Sequence, residues 1–190
     1  MEQLYYENET FEKGNYAEKT VRGKEFENCT FKNCDFQNSV FTNNKFMDCR
    51  FEACNLSLMK LSGCTLSDAT FKDCKILGVI FSECQDMLFS VGFEGCILDF
   101  SSFMGKKMLK TRFGKSSLKE VNFTQANLSG SVFSETDLFG ALFKETDLTS
   151  ANFTTAYNYI IDPEQNNIKK AIFSIHGVHG LLDKYGIKII

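Results

Sequence analysis

An apolar residue recurs at every fifth position over most of the chain. From Tyr6 the series runs through Phe11, Tyr16, Val21, Phe26, Phe31, Phe36, Phe41, Phe46, Phe51, Leu56, Leu61, Leu66, Phe71 and Ile76 to Phe81. It slips by two residues near Gln85-Asp86-Met87 and resumes at Leu88. It then continues through Phe93, Leu98, Phe103, Met108, Phe113, Leu118, Phe123, Leu128, Phe133, Leu138, Phe143 and Leu148 to Phe153. A helix repeats every 3.6 residues and a strand every 2, so neither accommodates a period of five. Of the 20 Phe in the chain, 16 fall on these centres, so the period rather than bulk composition places them.

A second inward position lies two residues before each centre and holds small side chains such as Ser39, Ala69, Ser101, Thr136 and Ala151. All eight Cys sit in this slot. The other three positions are mostly polar. A square coil with one pentapeptide per side meets these demands: large centres fill the middle and small residues fit beside them. Coils stacked about 4.8 Å apart by backbone pairing bury what no single coil can. The expected fold is therefore an all-β solenoid over residues 1–162, in two phases separated by a slip near 82–88.

Departures from the pattern mark irregular sites. Glu9, Lys19 and Lys24 occupy small-residue slots, which predicts an irregular or frayed first coil, because a buried unpaired charge is costly. Lys106 also occupies such a slot, which predicts an outward bulge there, with Lys107, Lys110 and Arg112 as its contact residues. Beyond Asp162-Pro163 the centres fail. Residues 163–190 are expected to form a cap: a short helix over Ile175–Tyr185 with Ser174 at its start and Gly186 as its stop, then a short strand at Ile187–Ile190. Leu181, Leu182, Ile187 and Ile189 are its candidate dimerisation residues.

Chemistry-bearing motifs are scarce. The Cys spacings are multiples of five rather than those of zinc knuckles, so the thiols read as small core residues. His176 and His179 lack a supporting ligand set. No phosphate loop, dinucleotide fingerprint or nucleophile elbow is present. The chain is thus expected to be a non-enzyme without metal or cofactor. A net charge of −3 argues against binding nucleic acid directly. No apolar run approaches a membrane span, and the acidic start lacks a signal or transit pattern, so a cytoplasmic protein with reduced Cys is expected. Residues 121–162 carry five acids and a single base, Lys144.

Ala126-Asn-Leu128-Ser-Gly, Thr136-Asp-Leu138-Phe-Gly, Thr146-Asp-Leu148-Thr-Ser and Ala151-Asn-Phe153-Thr-Thr resemble the signature of the pentapeptide-repeat family. The resemblance implies a right-handed quadrilateral β-helix with a short C-terminal helical dimerisation cap. Among family members, the chain is most similar to the Qnr-type quinolone-resistance and microcin-immunity proteins. That likeness implies a DNA-mimicking homodimer that binds DNA gyrase or topoisomerase IV and protects it from quinolones or related poisons. Glu120, Glu135, Asp137, Glu145 and Asp147 would then form the acidic contact surface. The competing expectation is a scaffold for another cytosolic protein, unrelated to topoisomerase, that reads the basic patch or the bulges.

Overall fold

Each pentapeptide forms one side of a square, and four sides make a coil of 20 residues. The computed structural model describes residues 3–188. The chain is a right-handed quadrilateral β-helix of about eight turns. Every strand pairing is parallel, and the second face carries a nine-stranded sheet. That sheet is built from Thr10–Glu12, Thr30–Lys32, Arg50–Glu52, Ala69–Lys72, Val91–Glu94, Arg112–Gly114, Val132–Ser134, Asn152–Phe153 and Ile172–Phe173. Registers of 20 residues, such as Phe31↔Phe51 and Phe113↔Phe133, give way to 22 at Phe71↔Phe93. The two-residue slip is therefore one enlarged coil.

The centres stack into ladders. On the second face nine rings run from Phe11 to Phe173, each stacked on the next at 4.6–5.4 Å between centroids. On the fourth face Phe81, Phe103, Phe123 and Phe143 stack in the same way and meet the first ladder edge to face, as in Phe103–Phe113. Phe103, Phe113, Phe123, Phe133 and Phe153 are fully buried and Phe143 nearly so. Offset stacking within a ladder and T-shaped contact between ladders are the two arrangements that the ring quadrupole favours. The other two faces carry short aromatic stacks in the early coils, Tyr6–Phe26–Phe46 on the first and Tyr16–Phe36 on the third, and mainly Leu in the later ones.

The small slot proves to be more than a space. Its side chain donates a hydrogen bond to the carbonyl of the centre one coil below. Cys34 Sγ donates to Phe11 O at 3.2 Å and Cys54 Sγ to Phe31 O at 3.3 Å. In later coils the donors are Ser131 Oγ to Met108 O and Thr136 Oγ1 to Phe113 O. A small residue with a donor thus satisfies a carbonyl that water does not reach. All eight thiols are free and buried, and burial pushes Cys49 and Cys84 up to about 12, which keeps them protonated.

The corners follow a second rule. The residue two after nearly every centre adopts a left-handed conformation, Glu83 and Thr155 being exceptions, and the early coils place Asn or Asp there, as at Asn28, Asn33, Asn38, Asn43 and Asp48. These side chains tolerate that region better than most. Where Asn or Asp stands just before a centre, its side chain accepts from the backbone N–H two residues on, as Asn122 does from Thr124 and Asn127 from Ser129. This local Asx turn fixes the bend between adjacent sides.

Three expectations are overturned. The first coil is regular: Tyr5–Glu7, Thr10–Glu12 and Thr20–Arg22 all pair with the coil above. Charges are tolerated there because Lys19 is exposed and Glu9 and Lys24 are only partly buried; Lys24, for instance, reaches the Tyr6 hydroxyl. Leu88 is not an inward centre; it is 67% exposed, and Phe89 turns inward instead. The cap holds no α-helix among its described residues, only 3₁₀ turns at Val178–Leu181 and Asp183–Tyr185. Gly180 sits so close to the Tyr159 carbonyl that a Cβ would fall within 2.1 Å of it, and this close seating sets the path of the cap. Ser174 Oγ accepts from Gly177 N at 3.0 Å, and Gly186 ends the last turn at φ 58. No strand forms at Ile187–Lys188, and Ile189 lies outside the described residues.

Candidate functional site

The structure divides the five acids into two kinds. Asp137 and Asp147 stand just before a centre and are committed to their turns. Asp137 accepts from Phe139 N and from Asn158 Nδ2 at 2.8 Å, and Lys119 Nζ lies 3.4 Å from its other oxygen. Asp147 accepts from Thr149 N at 3.0 Å and Thr149 Oγ1 at 2.6 Å. Burial alone would raise the Asp147 carboxyl, but hydrogen bonds from Thr149 and Ser129 outweigh it and hold it below the usual carboxylate range. Glu120, Glu135 and Glu145 are exposed at left-handed corners with φ 52–54. Glu135 and Glu145 follow centres on opposite faces, so the acids surround the rod rather than forming one stripe.

Lys106 does not bulge outward. It is 1% exposed and points into the core. Its ammonium donates to Cys84 O at 2.5 Å and to Asp86 Oδ1 at 2.6 Å, and it lies over the Phe89 ring. The hydrogen bond and then the charge of Lys106 hold the Asp86 carboxyl below its ordinary value. The bulge is one coil earlier, at residues 85–88. Lys107, Lys110 and Arg112 are exposed on a regular coil, with Lys107 bridged to Asn127 and Arg112 paired in the sheet. The signal for this anchor lay in the sequence, because Asp86 precedes Lys106 by 20 residues, one coil.

At the cap, Leu181 packs against the end of the core and Leu182 is partly buried. Ile175, Tyr185 and Ile187 face outward. Lys184 clamps the cap by ion pairs of 2.7 Å to both Asp162 and Glu164, and Tyr185 donates to Glu164. Those contacts hold both carboxyls below their ordinary values.

A groove of about 640 Å³ follows the corner between the third and fourth faces and is lined by Val40, Leu58, Lys60, Gly78, Ile80 and Glu83. Leu58 and, two coils on, Phe100 occupy left-handed corners with φ 58 and 64, yet both side chains are more than half exposed. Gly78 between them makes the space, since a Cβ there would meet Leu58 at 2.9 Å. Among the described residues, no group of three His, Cys, Asp or Glu is placed to hold a metal ion. Nor is any helix among them long and apolar enough to cross a membrane.

Comparison with known proteins agrees with this architecture. A family model for a pentapeptide repeat region matches residues 24–103, and a model for eight copies of the pentapeptide repeat matches residues 116–154. No curated protein matches the sequence significantly. Among solved structures, the chain is similar to trypsin-treated QnrB1, a plasmid-mediated fluoroquinolone resistance protein, with TM-score 0.59 and 17% identity over 100% of both chains. It is also similar to HetL, a pentapeptide repeat protein involved in heterocyst differentiation regulation in the cyanobacterium Nostoc. There the TM-score is 0.51 and the identity 13%, over 91% of this chain and 90% of that one. At such identities the likeness speaks to the fold alone. With its repeat region matched in both phases and its coils stacked as the period requires, the chain belongs to the pentapeptide-repeat family.

Proposed function

We propose that the chain is a non-catalytic, cytoplasmic rod that binds DNA gyrase or topoisomerase IV and protects it from quinolones or related poisons. The observation that supports this reading is the surface of the last full coils. Glu120, Glu135 and Glu145 project from their corners, and Lys144 is the only base between residues 121 and 162. A rod with carboxylates on several sides and few cations offers a DNA-binding protein the charge of a duplex. Such a surface steers association electrostatically and loses affinity in salt. QnrB1, similar end to end, is a fluoroquinolone resistance protein, and the reading carries that activity to this chain.

Charge reversal tests the surface. The double variant Glu135→Lys, Glu145→Lys is expected to weaken binding to a purified type II topoisomerase by roughly tenfold or more and to flatten its salt dependence. Unchanged affinity would remove the acidic coils from the contact. The reading includes a homodimer joined through the outward residues of the cap, Ile175, Tyr185 and Ile187. A chain ending at Asp162 is expected to sediment as a monomer where the full chain sediments as a dimer.

A second reading rests on the apolar corner. Leu58 and Phe100 spend conformational strain to show hydrocarbon to solvent, which favours a docking role for a partner unrelated to topoisomerases. Loss of partner binding in Leu58→Asn, Phe100→Asn with intact topoisomerase protection would separate the two.

A further inference from the structure

The first face carries one irregular feature, the two-residue insertion at 85–88. It places two apolar side chains next to each other in solvent, with Met87 78% exposed and Leu88 beside it. Leu88 stands at φ 63, a conformation unfavourable for a branched residue. Burying Leu88 would have continued the core ladder, but Phe89 takes the inward place instead. The insertion is also anchored. Lys106, on the next coil, reaches down to Asp86 and the Cys84 carbonyl, and its ammonium covers Phe89. A charged group is thus held in the dry core at the base of the loop. Ser90, at the other end of the loop, donates to Asp68 at 2.7 Å.

Directly above the insertion lie Lys107, Leu109 and Lys110, all exposed, with Arg112 around the next corner. None of the three cations forms an ion pair among the described residues. Asp86, the acid of the loop, is already engaged by Lys106. The local surface is therefore an apolar knob of Met87, Leu88 and Leu109 beside three cations without a close ion pair, of which Lys107 feels the nearby charge of Asp86, on a chain whose total charge is negative. A flexible Met next to Leu adapts to varied apolar surfaces. The cations select against a basic partner and attract an acidic one.

We propose that this knob is a docking site for an acidic amphipathic segment of a partner protein, its apolar face on Met87, Leu88 and Leu109 and its carboxylates on Lys107, Lys110 and Arg112. Lys106 is a positioning residue that holds the loop in its displayed form. The site is separate from the acidic coils and does not depend on the topoisomerase reading.

The test uses the full chain and four fluorescent probes. These are a short peptide with Glu on one helical face and Leu and Phe on the other, its Lys-for-Glu counterpart, its Ser-for-Leu/Phe counterpart, and a short DNA duplex. Binding is read by anisotropy and located by NMR shifts. The acidic amphipathic peptide is expected to bind, with shifts centred on residues 86–90 and 107–112. Binding should fall roughly tenfold or more in Lys107→Glu, Lys110→Glu and in Met87→Ser, Leu88→Ser. All these positions are exposed, so the fold is retained. In Lys106→Met the shifts at 86–90 are expected to broaden and affinity to fall, while far-UV spectra stay unchanged. Equal binding of the basic peptide, tighter binding of the duplex, shifts on another face, or indifference to the Lys107 and Lys110 reversals would each overturn the proposal. So would failure of the acidic peptide to bind.

Discussion

Phe113→Ala is expected to lower the stability of the folded chain by about 3–5 kcal/mol. Phe113 is fully buried, and its ring stacks on Phe93 at 5.4 Å and Phe133 at 5.0 Å while meeting Phe103 and Phe123 edge on. The loss has two parts: the transfer energy of the ring and the cavity left behind. The cavity cannot collapse readily, because the backbone on either side is fixed by pairing to Val91–Glu94 and Val132–Ser134. For a chain of this size, each kcal/mol lowers Tm by roughly 2–4 °C. A solenoid also relies on nearest-neighbour interfaces, so the break separates two stacks of coils rather than loosening a single core. Phe139→Ala serves as the control, because that ring is exposed, and it should change stability by less than about 0.5 kcal/mol. Denaturant unfolding of both variants checks the contrast. Equal losses would mean that the ladder does not carry the stability.

Lys106→Glu is expected to be as damaging, costing about 3–5 kcal/mol or abolishing folding. It would place a carboxylate against the Cys84 carbonyl and beside Asp86, with no donor to replace the lost ammonium. Lys106→Met, by contrast, keeps the length of the side chain and removes the charge. Replacing a buried ionic group by a hydrophobe of similar volume is often close to neutral, so the change should stay within about 1.5 kcal/mol. Sign and size together identify the environment. If Lys106→Glu were as mild as Lys106→Met, the side chain would have to point outward, and the insertion would lack its anchor.

These two positions also show what could be read from the sequence. Phe113 was legible because periodicity alone decides which residues of a repeat face inward. Lys106 was legible only through the 20-residue spacing to Asp86, because its partner comes from a neighbouring coil. The rule that a charge in an inward slot forces a bulge assumes no acid nearby, and here the insertion supplies Asp86. Leu88 misled for a related reason: an insertion of two residues leaves several apolar candidates, and local backbone conformation chooses Phe89. Spacing places the thiols in the core, where they lie, but their hydrogen bonds to centre carbonyls depend on coil-to-coil geometry that spacing does not report. Asp137 and Asp147 looked like free surface acids, whereas the turn chemistry of the repeat engages them. In the cap, Gly177 and Gly180 keep a short apolar stretch in 3₁₀ turns where the pattern suggested a helix.

Protection of a type II topoisomerase is open to a drug-protection assay on the purified enzymes. Gyrase and topoisomerase IV would each be given a quinolone and plasmid DNA, with and without the full chain at low salt. Fewer drug-stabilised cleavage complexes and restored supercoiling or decatenation are expected as the chain is added, with protection weakened in Glu135→Lys, Glu145→Lys. Cleavage complexes unchanged with both enzymes at every chain concentration would contradict protection.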